Sequence, residues 1–135
     1  MQIPLRSICT GYLQRYLHKG MMIFWARLDK LLRSTKPVID RPKGSKHPKY
    51  PSIVYPLDYG FLEDTSGGDG NEIDIWCGSG DAAKLVAIVC TVDTMKNDTE
   101  IKLILGCTEE EIDIINQFHN DNQYMSGLVI KRNGK

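Results

Sequence analysis

The chain has no long apolar run. No uninterrupted one, Met21 to Ala26 included, exceeds six residues, against the ~20 a bilayer-spanning helix needs. Aromatic residues are scarce, at 8%, which argues against a surface built to stack successive nucleic-acid bases. The four cysteines, Cys9, Cys77, Cys90 and Cys107, include no C-x-x-C pair and no zinc-knuckle spacing. With no secretory signal, reduced thiols and a cytoplasmic location are expected. What is there is ordinary for a globular chain: 135 residues, 41% hydrophobic and 25% charged. That composition suits one domain with a single core and excludes disordered, collagenous and coiled-coil classes.

Net charge is zero, but its distribution is lopsided. Residues 1–49 hold eleven Lys/Arg and two acids, a net +9, whereas residues 50–126 hold three Lys and fifteen acids, a net −12. Such halves compensate each other internally, or they frame a site where carboxylates bind cations and lysines bind an anion. Residues 1–22 contain no acid and read as an N-terminal extension with a trace of organelle-targeting composition, leaving residues 23–135 as the domain.

Apolar residues at helical spacing, Phe24, Trp25, Leu28, Leu31 and Leu32, predict a helix that Pro37 stops. Val38-Ile39 is a short strand candidate. Four prolines between Asp40 and Gly60 make that stretch a loop with brief extended pieces. Strands are expected at Ile73–Cys77, Leu85–Val92, Ile101–Leu105 and Leu128–Ile130, with turns at Ser66–Gly70, Gly78–Asp81 and Asn97-Asp98. Thr108-Glu109-Glu110-Glu111 is a capping box opening a helix to about Asn120 that buries Ile112, Ile115 and Phe118. The expected fold class is α+β, with short strands curled into a small OB-like five-stranded β-barrel flanked by helices.

The chemistry concentrates in Asp69-Gly70-Asn71-Glu72-Ile73-Asp74-Ile75, where Asp69 and Asp74 flank a tight turn that leads into a strand. Hard cations such as Mg²⁺ take one or two such carboxylates together with water and substrate phosphates. The segment follows Tyr55-Pro56-Leu57-Asp58-Tyr59-Gly60-Phe61, and together the two resemble the active-site strip of the soluble inorganic pyrophosphatases. That family carries Y-P-x-x-Y-G-[FY] and then D-[SGDN]-D-[PE]-[LIVM]-D-[LIVMGC], matched here at six of seven places. Upstream, Asp40-Arg41-Pro42-Lys43-Gly44-Ser45 resembles the family's acid followed by P-x-G-S. Downstream, Glu100-Ile101-Lys102-Leu103 resembles its acid-x-Lys-Leu. The resemblance covers about residues 36–105.

The resemblance implies a Mg²⁺-dependent hydrolase, with Mn²⁺ as an alternative cofactor, that splits pyrophosphate or a small phosphoanhydride. It implies catalytic roles for Asp69, Asn71, Asp74 and Tyr59. Metal ligands would come from Asp69, Asp74 and Glu100, with Asp93 and Asp98 competing for one more place. Phosphate would be held by Lys43, Lys46, Lys49, Lys102 and the Tyr59 hydroxyl. It further implies a homo-oligomer with no nucleic-acid or membrane partner. Three departures stand out. The hairpin between P-x-G-S and Y-P-x-x-Y-G is compressed into Ser45–Ser52. The family's middle aspartate is Asn71, whose amide cannot take a proton at neutral pH. The Tyr-Lys pair expected near Phe118–Asp121 is missing. These departures motivate an alternative reading, a weakened or inactive pyrophosphatase-like protein that binds phosphate ligands. An oligonucleotide-binding barrel is disfavoured, because the middle of the chain is acidic.

Overall fold

A computed structural model describes residues 5–133, with side chains from residue 14 onward. Helix α1 spans Leu5–Arg33 and is followed by strands β1 (Pro37–Arg41), β2 (Asp58–Leu62), β3 (Asp74–Cys77), β4 (Leu85–Asp93) and β5 (Asp98–Leu105). Helix α2 (Glu109–Asn120) and strand β6 (Met125–Lys131) complete the chain. The chain divides into two compact units, Met1–Leu31 and Leu32–Lys135. No helix among the described residues is long and apolar enough to cross a membrane.

In the first unit the helix starts far upstream of the expected Phe24. No proline interrupts residues 5–36, so nothing breaks the backbone ladder before the chain approaches Pro37. In the second unit the fold is α+β: the six strands form one sheet in the order β1-β2-β3-β5-β4-β6. Only β3 and β5 run parallel. The expected five-stranded barrel is not formed, because closure requires the outer strands to pair. Here β6 adds a sixth strand to β4, and the sheet ends at β1 and β6. Tyr59-Gly60-Phe61, expected in a loop, is the middle of β2. Gly60 is required there, since a Cβ would run into the Val38 carbonyl of β1.

Register fixes which residues share a face. Tyr59 faces Trp76, Trp76 faces Ile104, Ile104 faces Ala87, and Lys102 faces Val89. At one end of this face Trp76, Ala87, Val89 and Ile104 pack with Ile112 and Ile115 of α2. The period-2 alternation along β3, β4 and β5 brings Asp74, Asp93, Asp98, Glu100 and Lys102 onto the same face toward its other end. The sheet thus has one apolar end under α2 and one charged end. The α2 capping box is present as expected: Thr108 accepts from the Glu111 amide while Glu111 accepts from the Thr108 amide.

Candidate active site

Lys102 is the centre of the charged end. It is only 5% exposed, and its Nζ donates to Glu100 Oε2 at 2.7 Å, Asp74 Oδ2 at 2.8 Å and the Tyr59 hydroxyl at 2.9 Å. Tyr59 in turn donates to Asp74 Oδ2 at 2.6 Å. An ammonium has three N–H donors, so Lys102 is fully spent within the protein. Burial alone would push its pKa down, but the Tyr59 hydroxyl, Asp74 and Glu100 outweigh that and raise it. Burial raises the Tyr59 phenol as well. A buried charge tolerated in this way needs complete hydrogen bonding, and here it has it.

Beside this knot, single carboxylate oxygens of Asp69, Asp98 and Glu100 lie within 4.8 Å of one another. Asp98 and Glu100 project from alternate positions of β5, and Asp69 comes from the loop before β3. That loop is pinned at its base by Thr65, whose hydroxyl donates to the Leu62 carbonyl and accepts from the Ile73 amide. Its turn uses a left-handed Gly70, φ 84°. Asn71 orients Asp69, donating its backbone amide to Oδ1 at 3.0 Å and its side-chain amide to Oδ2 at 3.3 Å. The neighbouring Glu100 carboxyl, and then the Asn71 amide, holds Asp69 below the usual carboxylate range. Burial, and then the neighbouring Asp69 and Asp74 carboxylates, moves Glu100 above it. Carboxylates this close disfavour one another's ionised form, a cost that a bound cation would relieve. Asp69, Asp74, Glu72 and Glu100 also line one cleft.

Of the residues singled out from the sequence, the structure brings Tyr59, Asp69, Asn71, Asp74, Asp98, Glu100 and Lys102 together. Asp74 stands outside the carboxylate trio, tied to it through Lys102. Asp93, the rival of Asp98, spends Oδ1 on the Met95 and Lys96 amides and caps the β4–β5 turn. Lys43, Lys46 and Lys49 lie exposed on the loop between β1 and β2. There the Lys43 amide donates to Asp58, and Lys46 bridges Val54. Lys102, by contrast, is buried.

Three features were not read from the sequence. Arg41 donates to the Tyr55 hydroxyl, and its guanidinium carbon lies 5.3 Å from the Tyr55 ring centroid and 5.8 Å from that of Tyr59. Tyr55, Tyr59, Trp76 and Phe118 form a contiguous aromatic cluster of tilted and edge-to-face rings under the site. His119 supports it from below, accepting from Trp76 Nε1 at 3.0 Å with Nδ1 3.2 Å from Met125 Sδ. Only the prolines and aromatics of the Tyr55 segment hinted at this. The pairing of Trp76 with His119 crosses 43 positions and leaves no local signal.

No protein-family model and no curated protein sequence matches the chain. Solved structures similar to it include an inorganic pyrophosphatase from Neisseria gonorrhoeae, with a TM-score of 0.54 and 16% identity, covering 67% of this chain and 77% of that one. A second is an inorganic pyrophosphatase from Helicobacter pylori, at a TM-score of 0.46 and 21% identity over 72% of this chain and 75% of that one. A third is an inorganic pyrophosphatase from Coxiella burnetii, at 0.44 and 15% over 62% and 67%. The first likeness is one of fold; the other two are too distant in shape to add to it. This α+β sheet is therefore built on the fold of the Neisseria gonorrhoeae pyrophosphatase.

Proposed function

We propose that the chain hydrolyses inorganic pyrophosphate, or a small phosphoanhydride, with a divalent cation, Mg²⁺ or Mn²⁺, held by Asp69, Asp98 and Glu100. The observation that carries this reading is the convergence of those three carboxylates beside the Lys102–Asp74–Tyr59 knot. The fold similarity to a pyrophosphatase supports it by analogy. The donor set fits the group: all-oxygen ligands suit a hard cation, and a cation would offset the charge of the three converging carboxylates. When bound, it supplies neutralisation of phosphate charge and a more acidic water.

The chain's own residues do the rest. Lys102 locks Glu100 and Asp74 in place and offsets their charge, so the cluster of acids is tolerated in one cleft. Asp74 has both bonds on Oδ2, which leaves Oδ1 as the acceptor we assign for the proton of the attacking water. Asn71 aims Asp69 but takes no proton. In this reading the catalytic domain is residues 23–135 with residues 1–22 as an extension, and the protein is cytoplasmic and homo-oligomeric.

The test is phosphate release from pyrophosphate with and without Mg²⁺, alongside melting curves. Millimolar Mg²⁺ is expected to raise the melting temperature of the natural chain and of Asp93→Asn, but not of Asp98→Asn. Phosphate release that ignores Mg²⁺ and chelator would reject the reading. A second reading, a phosphate-ligand-binding protein without turnover, draws on the Asn71 side chain serving Asp69 as a donor. Pyrophosphate binding with no phosphate release at saturating metal would favour it.

A further inference from the structure

A phosphoanhydride brings several negative charges, and its far end needs a cation with donors to spare. Lys102 has none, since its three N–H groups are committed to Tyr59, Asp74 and Glu100. Arg41 differs on every count. It is half-buried at the end of β1, forms no ion pair among the described residues, and spends one of its donors on the Tyr55 hydroxyl. A guanidinium carries five.

The backbone aims it. In the β1–β2 ladder Ile39 faces Gly60 and Arg41 faces Tyr59, so Asp40 is the extra residue of a bulge. An unbroken ladder would set Asp40 opposite Tyr59; the bulge puts Arg41 there instead. Re-aiming a side chain next to a site is a recurrent use of bulges. The aromatic rings then fix the guanidinium, 5.3 Å from Tyr55 and 5.8 Å from Tyr59, a cation–π cradle.

The surroundings are cationic as well. His47, whose ring stacks on Tyr55 at 6.2 Å, is held below its usual pKa by burial and then by Arg41, Lys96 and Lys49. These charges come from β1, the β4–β5 turn and the β1–β2 loop. Tyr55 accepts from Arg41, and its ring lies 5.1 Å from that of Tyr59, whose hydroxyl is bonded to Lys102 and Asp74. A basic pole and an acidic pole therefore lie along one sheet face, joined by two tyrosines.

We propose that Arg41 is the anion anchor of this site, gripping a phosphoryl group through two N–H donors, with Tyr55 as its positioning residue. The proposal rests on the pyrophosphate reading above. It also relocates the main phosphate contact from the exposed loop lysines and Lys102 to a residue that the resemblance did not assign. Planar, bidentate recognition of phosphate is the chemistry for which arginine is suited and lysine is not.

The experiment titrates methylenediphosphonate, which cannot be hydrolysed at its P–C–P bridge, by calorimetry at saturating Mg²⁺. The proteins are the natural chain, Arg41→Gln, Arg41→Lys, Tyr55→Phe and the Arg41→Gln/Tyr55→Phe double variant, each also titrated with Mg²⁺ alone. Arg41→Gln should weaken diphosphonate binding by about tenfold or more, and Arg41→Lys should regain only part of that. Tyr55→Phe should weaken it about threefold in the natural chain and have no further effect once Arg41 is gone. Mg²⁺ affinity should be unchanged throughout. Unaltered diphosphonate affinity in Arg41→Gln overturns the anchor and leaves the pyrophosphate reading standing. If the natural chain neither binds the diphosphonate nor releases phosphate from pyrophosphate, that reading fails and the anchor falls with it. Should Arg41→Gln not fold, Arg41→Lys decides: a loss of affinity supports the bidentate grip and natural affinity overturns it.

Discussion

His119 has both ring nitrogens committed. Nε2 accepts from Trp76, so the ring proton sits on Nδ1, toward Met125 Sδ. Burial, reinforced by the charge of Lys102, pushes its pKa down to about 3. In the unfolded chain it returns to its usual value near 6.5. Above that pH the ring is neutral in both states. Below it the unfolded chain gains a proton the folded chain refuses, and stability falls by about 1.4 kcal/mol per pH unit until the folded pKa is reached. The melting temperature of the natural chain should therefore drop more steeply from about pH 7 to about pH 5 than that of His119→Gln, which keeps an acceptor for Trp76. Equal slopes would remove His119 from the acid response. Asn71 belongs at the same scale. If the family's middle aspartate works as a base, Asn71→Asp should speed phosphate release by about 10²–10⁴-fold, compared at saturating Mg²⁺ because an added acid also tightens metal binding. An unchanged rate would assign proton acceptance elsewhere, as we assign it to Asp74.

At the scale of elements, α2 is tied to the sheet by Glu111. Its carboxylate accepts from the Thr108 amide at 2.9 Å, and from the Ser79 amide at 3.0 Å and hydroxyl at 3.1 Å, so it caps its own helix and holds the β3–β4 turn. The Thr108 bond and then those from Ser79 hold its pKa below the usual carboxylate range. Thr108→Ala, which removes one half of the box, should cost about 1 kcal/mol. Glu111→Ala strands donors on both elements and should cost about 1–3 kcal/mol, read from urea midpoints. A smaller loss in Glu111→Ala than in Thr108→Ala would show that the Ser79 bonds contribute nothing. The β1–β2 ladder is the second such element: Gly60 permits the close approach of Val38, and the bulge beside it carries Arg41 to the site.

For the whole molecule, β4 carries the two longest ladders of the sheet, with β5 on one side and β6 on the other. Its amides at Leu85–Val92 should exchange slowest and those of residues 1–22 fastest. Strong protection of residues 1–22 would contradict their reading as an extension. A chain begun at Met22 should likewise keep the Mg²⁺-dependent rise in melting temperature; its loss would make the earlier residues part of the folded domain.

Local chemistry determined much of this protein. The capping box at Thr108, the strand at Leu85–Val92, the turn at Ser66–Gly70 and the stop before Pro37 are short-range effects of hydrogen bonding, dihedral preference and burial, and each is present as expected. Asp69, Asp74, Glu100, Lys102 and Tyr59 were likewise legible, through motifs that keep their order along the chain. The tertiary structure decided what depends on register between distant strands. It separated Asp98 from Asp93, two residues that face each other across β4 and β5, because only Asp98 meets the loop bearing Asp69. It used up every donor of Lys102, brought His119 under Trp76, left the sheet open with a sixth strand, and set Arg41 rather than Asp40 opposite Tyr59. A one-residue change of register exchanges the faces of a strand, and neither a bulge nor the partner across a sheet is written in the local sequence.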